Sequence, residues 1–122
     1  MTLFDILTAT KERFPNAKAE EVCRIVNEVE KRLVDEIFSP HGIKVRTERL
    51  TAETDIYSPL ILNDEDILIY VYFVFSIYSL KELDFSAANA YSAAFNEKFS
   101  DLSVNYRRKF LPVKNTLISG GV

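Results

Sequence analysis

Residues Asn63-Asp64-Glu65-Asp66 run straight into Ile67-Leu68-Ile69-Tyr70-Val71-Tyr72-Phe73-Val74-Phe75-Ser76-Ile77-Tyr78-Ser79-Leu80, and the conformation of that run decides the fold. It is apolar on nearly every side, so periodicity alone does not separate a buried helix from a buried strand. Length separates them, because buried strands rarely exceed about 8 residues. The flanks agree: Asn63 can cap a helix whose first turn is acidic, and Lys81-Glu82 suit its end. The run reads as a helix. A helix that is hydrophobic all round must be covered all round, and three further helices do not supply that cover. Tyr70, Phe73, Phe75 and Tyr78 are therefore expected to meet a second subunit.

The next segment reads as the partner of that helix. Asp84 caps it, and Phe85, Ala88, Phe95, Phe99, Leu102 and Tyr106 fall at near-heptad spacing, broken only at Ser92. Alanines 87, 88, 90, 93 and 94 thin one end and permit a close helix approach. Arg107-Arg108-Lys109 complement the dipole at the far end. The two segments, about 64–82 and 85–110, predict a long helical hairpin. Pro112 then stops the helix and leaves a C-terminal tail over 112–122.

Upstream, Thr2 to Phe14 predicts a short amphipathic helix ended by Pro15-Asn16. Lys18 to Phe38 is the clearest helix: Val22, Ile25, Val26, Val29, Leu33 and Ile37 recur at three and four. Its charged face offers i to i+4 pairs from Glu20 to Arg24 and from Glu28 to Arg32. Ser39-Pro40-His41-Gly42 is a stop signal. From Ile43 the period changes, with Ile43 and Val45 alternating with Lys44 and Arg46, and Pro59 bars a helix around Ser58. The expectation for about 43–60 is a short extended or β-hairpin insertion, or a projecting loop. The fold class is mainly α: a four-helix subunit, one domain over 1–111, with an extended tail.

Composition narrows the chemistry. A net charge of −3 lacks the clustered positive charge of a nucleic-acid-gripping domain. The single cysteine, Cys23, sits among Val22 and Ile25 and reads as a small buried hydrophobe. His41 has no second histidine at metal-ligand spacing, and the three glycines form no phosphate loop. Asp64, Glu65 and Asp66 are explained by helix capping. Tyrosines 70, 72 and 78 could stack on bases, but a single-strand binder also wants a basic groove. The expectation is no catalyst, no metal and no cofactor. No secretory signal is visible, and the apolar run is shorter than the roughly 20 residues of a membrane span, so no membrane partner is expected.

The pattern of these residues resembles a family. An acid-rich cap, Ile67 to Phe73, then Ala88-Asn89-Ala90-Tyr91-Ser92-Ala93-Ala94-Phe95-Asn96, Asn105-Tyr106-Arg107-Arg108 and Leu111-Pro112 look like the head-tail connector (adaptor, head completion) proteins of tailed bacteriophages. The resemblance covers about the last half of the chain. It implies a helical subunit made in the bacterial host cytoplasm and located in the virion neck. Such subunits form a ring of about twelve copies below the portal protein. The ring would extend the channel through which DNA passes without sequence-specific binding, and join the next neck or tail component. The tail, with Pro112, Val113, Leu117, Ile118 and Val122, would dock on the portal. Residues 81–88 lack the Gly-rich turn of close relatives.

A heterologous ring contact pairs two different faces of one subunit. The candidate faces are Tyr70, Phe73 and Tyr78 of the third helix on one side, and on the other the charged face of the second helix with Ile43, Val45 and Tyr57. The rival reading is a small helical regulatory or nucleic-acid-binding protein, which would carry a positive stripe on one helix and no surplus apolar surface.

Overall fold

A computed structural model describes residues 1–109. Four α-helices account for most of them: α1 (Leu3–Arg13), α2 (Ala19–Leu33), α3 (Ile67–Lys81) and α4 (Phe85–Lys109). The docking tail expected from Pro112, Val113, Leu117, Ile118 and Val122 lies outside the described residues.

Helix α1 starts with a capping box. The Thr2 hydroxyl accepts from the Asp5 N–H, while the Asp5 carboxylate accepts from the Thr2 N–H at 2.8 Å. Leu3, Ile6 and Leu7 point inward. The whole predicted stripe of α2, from Val22 to Leu33, is buried. The exposed side of α2 carries Arg24–Glu28, Lys31–Asp35 and Arg32–Glu36 ion pairs rather than the two pairs expected from spacing. Beyond Leu33 the helix widens into a π-turn (Val34–Phe38) and tightens into a 3-10 turn (Ser39–His41). Gly42 closes it in the left-handed region at φ 68°. The widened turn delivers Ile37 and Phe38 into the core, and Phe38 meets Tyr106 of α4 edge-on at 5.1 Å.

Helix α3 is the centre of the molecule, touching α1, α2 and α4. Tyr70 and Val74 are fully buried, and Ile69, Val71 and Tyr78 nearly so. Phe73 and Phe75 are half-buried against α4, where Phe73 packs on Phe95 at 4.9 Å and Phe75 on Tyr91 at 5.2 Å. One subunit thus covers Tyr70, Val74 and Tyr78 of α3 but leaves Phe73 and Phe75 half-buried and Leu68 and Leu80 exposed. Three neighbours, α1, α2 and α4, each cover part of it. On the α4 side the cover comes from Ala88, Phe95 and Phe99, which are buried, whereas Ala90 and Ala93 face outward.

The stretch after Gly42 is a non-helical insertion, as expected, but without the hairpin. Among the described residues there is no β-strand, only a lone antiparallel bridge between Thr2 and Pro59. Nor does the segment project, since Leu50, Leu60 and Leu62 are buried. Its backbone groups bond to the chain around the start of α1, to one another and to a side chain of α2 instead of a partner strand. Asn27 spans both polar groups of Leu50: its amide donates to the Leu50 carbonyl and its carbonyl accepts from the Leu50 N–H, each at 2.9 Å. The buried Cys23 thiol reaches the same carbonyl at 3.3 Å, and burial pushes its pKa up. Asn27→Ala is expected to lower unfolding free energy by about 2–3 kcal/mol, since a buried N–H loses its acceptor. Faster amide exchange at Leu50 than in the α2 core would show that the clamp, not the helix, was lost.

Candidate interaction surface

The polar groups buried under the surface fix where α3 sits. Glu30 is almost wholly enclosed, yet its carboxylate accepts three bonds: from Arg46 Nη2 at 2.7 Å, the Ile61 N–H at 2.8 Å and the Tyr70 hydroxyl at 2.8 Å. Tyr70 Oη in turn accepts from the Leu62 N–H at 3.2 Å. One carboxylate therefore ties α2, α3 and the intervening loop together. A cleft of about 300 Å³ opens beside it, lined by Asn27, Glu30, Lys31, Arg46 and Arg49 among others. The charges of Glu30 and Arg46 satisfy each other across it, so this arrangement is a clamp. Among the described residues no group of three or more acidic, histidine or cysteine side chains could hold a metal ion, and no helix is long and apolar enough to cross a membrane.

A second clamp holds the other end of α3. Tyr78 donates its hydroxyl to Glu21 Oε1 at 2.6 Å and accepts from the Lys18 N–H at 3.4 Å. Lys81 also pairs with Glu21 and sits over the Tyr78 ring at 5.3 Å. Phe14 stacks on the same ring at 5.4 Å. The start of α2 thus braces the last turn of α3.

Burial raises the pKa of Tyr70 above its ordinary 10.0, and it also raises those of Tyr78 and Tyr106. A folded pKa above the unfolded one means that the native state holds the phenol proton more tightly. The associated stability is complete below pH 10 and is lost as pH rises past the unfolded pKa. Denaturant midpoints measured between about pH 8 and pH 11 are expected to fall at the alkaline end. Tyr70→Phe should blunt that fall while costing about 1–2 kcal/mol at neutral pH.

Beyond the braced turn, three large apolar side chains face water: Leu80 is 50%, Leu83 72% and Phe85 59% exposed. Residues 82–84 join α3 to α4 in a Schellman arrangement, with the Leu83 N–H bonded to the Leu80 carbonyl at 3.0 Å and the Asp84 N–H to the Ser79 carbonyl at 2.9 Å. The motif puts the residue after the cap in the left-handed region, where glycine is usual. Here that residue is Leu83, at φ 60°. A side chain in that conformation costs about 1 kcal/mol over glycine. Asp84 then caps α4, its carboxylate accepting from the Ala87 N–H at 3.1 Å. The Gly-less turn noted in the sequence is therefore a strained turn bearing an exposed leucine.

The residues expected at an inter-subunit contact are dispersed. Tyr70 and Tyr78 lie inside the subunit and are corrected: a second copy cannot reach Tyr70 without opening the core. Phe73, Ile43 and Val45 are half-buried against the core. Tyr57 alone faces outward, 70% exposed, and packs on the exposed Phe4 at 5.3 Å. Phe85, read from spacing as part of the α4 seam, escapes it because α3 ends before α4 begins. Leu80 and Leu83 were not singled out by pattern; the missing glycine was their only signal. Comparison with family models, curated proteins and solved structures finds no match to this chain.

Proposed function

We propose that this chain is a head-tail connector (adaptor) subunit of a tailed bacteriophage. Copies assemble as a ring below the portal protein, lengthen the DNA channel in the virion neck and present a platform to the next neck or tail component. The observation that carries the reading is the α3–α4 hairpin, whose tip offers Leu80, Leu83 and Phe85 to solvent while Phe73 and Phe75 stay half-buried and Leu68 exposed along α3. A subunit of this kind keeps its own fold closed and concentrates free apolar area where a neighbour can bury it. The spacing of tyrosine, asparagine and phenylalanine between Asn63 and Pro112 supports the same family. Arg107, Arg108 and Lys109 gather at one helix end instead of forming a stripe, which favours assembly over nucleic-acid binding.

The test is co-expression of the full chain with the portal protein encoded in the same genome, followed by electron microscopy of the purified complex. The expected result is a closed ring of about twelve subunits with residues 112–122 against the portal. Failure to bind the portal, together with failure to form a ring upon it, would overturn the proposal.

A further inference from the structure

Between the Gly42 turn and the Asn27 clamp the backbone runs without partners. The Ile43 N–H closes on the Phe38 carbonyl, and the Leu50 N–H on the Asn27 side chain. Among the described residues, no protein group accepts from the N–H groups of Lys44 to Arg49. Of their carbonyls only that of Glu48 is bonded, to Arg46 Nη1 at 2.8 Å. Ile43 and Val45 pack against the core, so the run is held in place. A fixed run of unpaired N–H and C=O groups is a template for an added strand. Beside it lies the cleft of about 300 Å³, between α2 and residues 46–49, with half-buried Val34 and Ile61 in its lining. Most of its charges are matched in place, Glu30 with Arg46 at 2.7 Å and Lys31 with Asp35 at 2.8 Å. Glu48 and Arg49, of opposite sign, complete the charged lining, and Lys44 is exposed beyond it. The occupant that fits is extended, aliphatic and uncharged.

One segment of this chain has that chemistry and begins beside the site. Residues 110–122 lie outside the described residues, and from Asn115 to Val122 they carry no charged side chain, with Thr116, Leu117 and Ile118 in succession. They follow α4, whose Tyr106 meets Phe38 at 5.1 Å. Phe38 ends the π-turn whose Val34 and Asp35 line the cleft. At about 3.3 Å per residue, residues 110–122 reach about 43 Å, whereas the run from Ile43 to Arg49 is at most about 23 Å long. We propose that residues 115–119 of the same chain lie against Lys44–Arg49 as an added strand. Backbone pairing supplies the bonds that Lys44–Arg49 lack, and the aliphatic side chains cover Val34 and Ile61. This contact belongs to the free subunit and does not rest on the connector reading, in which the same residues leave the edge to reach the portal.

Hydrogen exchange of the full chain, read amide by amide with no partner added, tests the contact. Alternate amides between Lys44 and Arg49 are expected to exchange at least about tenfold more slowly than in an unstructured peptide of the same sequence, at a rate independent of protein concentration. Leu117→Pro with Ile118→Pro removes two backbone donors and bars a paired strand. It should return those amides to the unprotected rate while the protection of α2 stays unchanged. Leu117→Val with Ile118→Val keeps the strand chemistry and should keep the protection. Amides that exchange freely in the wild type overturn the inference, as does protection that survives the double proline variant. Protection that appears only as concentration rises assigns the edge to residues 115–119 of a second copy and overturns the same-chain contact. Protection without portal binding leaves the inference standing and removes the connector reading, and portal binding without protection does the reverse.

Discussion

Replacing Glu30 with alanine lowers the unfolding free energy by about 3–5 kcal/mol, among the largest effects expected of any single substitution here. The magnitude follows from what stays behind. Without the carboxylate, the Ile61 N–H and the Tyr70 hydroxyl lose their acceptor in the interior, and Arg46 keeps its charge with its buried partner gone. Each orphaned group carries a desolvation cost of about 1–3 kcal/mol, larger for the charged one. Glu30→Gln retains one acceptor oxygen but turns a donor toward groups that also donate, so it should recover only part of the loss. Urea titrations of the single variants, of Tyr70→Phe and of the double variant give the Glu30–Tyr70 coupling directly. Additive losses would show that the bond at 2.8 Å is not the reason Glu30 is buried.

Phe95→Ala is expected to cost about 3–5 kcal/mol by a different route, the removal of a large buried side chain and the cavity it leaves. Phe95 is nearly inaccessible and packs between Phe73 of α3 and Phe99 one turn along α4. The Arg32 guanidinium lies over both rings of α4, 5.3 Å from Phe95 and 4.7 Å from Phe99, so the deletion also loosens α2. Phe95→Leu should lose much less, since most of the volume is kept. Thermal unfolding of both variants checks this, and a loss below about 1 kcal/mol for alanine would mean the site collapses without a cavity.

These two variants also bound the earlier expectations. The α2 stripe was legible because Val22, Ile25, Val26, Val29, Leu33 and Ile37 repeat at helical spacing over a long run. The seam of Ala88, Phe95, Phe99 and Leu102 in α4 was legible for the same reason. Glu30 was not. It sits among charged neighbours of α2 and reads as part of a solvated face, whereas its burial depends on Arg46, Ile61 and Tyr70 arriving from distant positions. The 43–60 segment misled in the same way: alternation of Ile43 and Val45 suggests a strand, but a strand needs a partner, and here the Ile43 N–H closes the preceding turn on Phe38, Leu50 bonds to Asn27, and Ile56 and Leu60 bond to the chain around α1's start.

The candidate surface was legible only in outline. An apolar excess in the second half of the chain was evident from the sequence, but its location was misjudged. Period and composition state how much oily area a helix carries, not which neighbours lie against it.

The sequence by itself determined a mainly helical chain, the position of its helices and the stripes that α2 and α4 bury, because hydrophobic spacing and capping act over a few residues. Only the tertiary structure decided that Tyr70, Val74 and Tyr78 of α3 are buried within the chain, that Glu30 is its polar anchor and that Leu80, Leu83 and Phe85 are left outside. Those outcomes depend on which faces meet across long loops, and burial is set by that meeting rather than by any local preference.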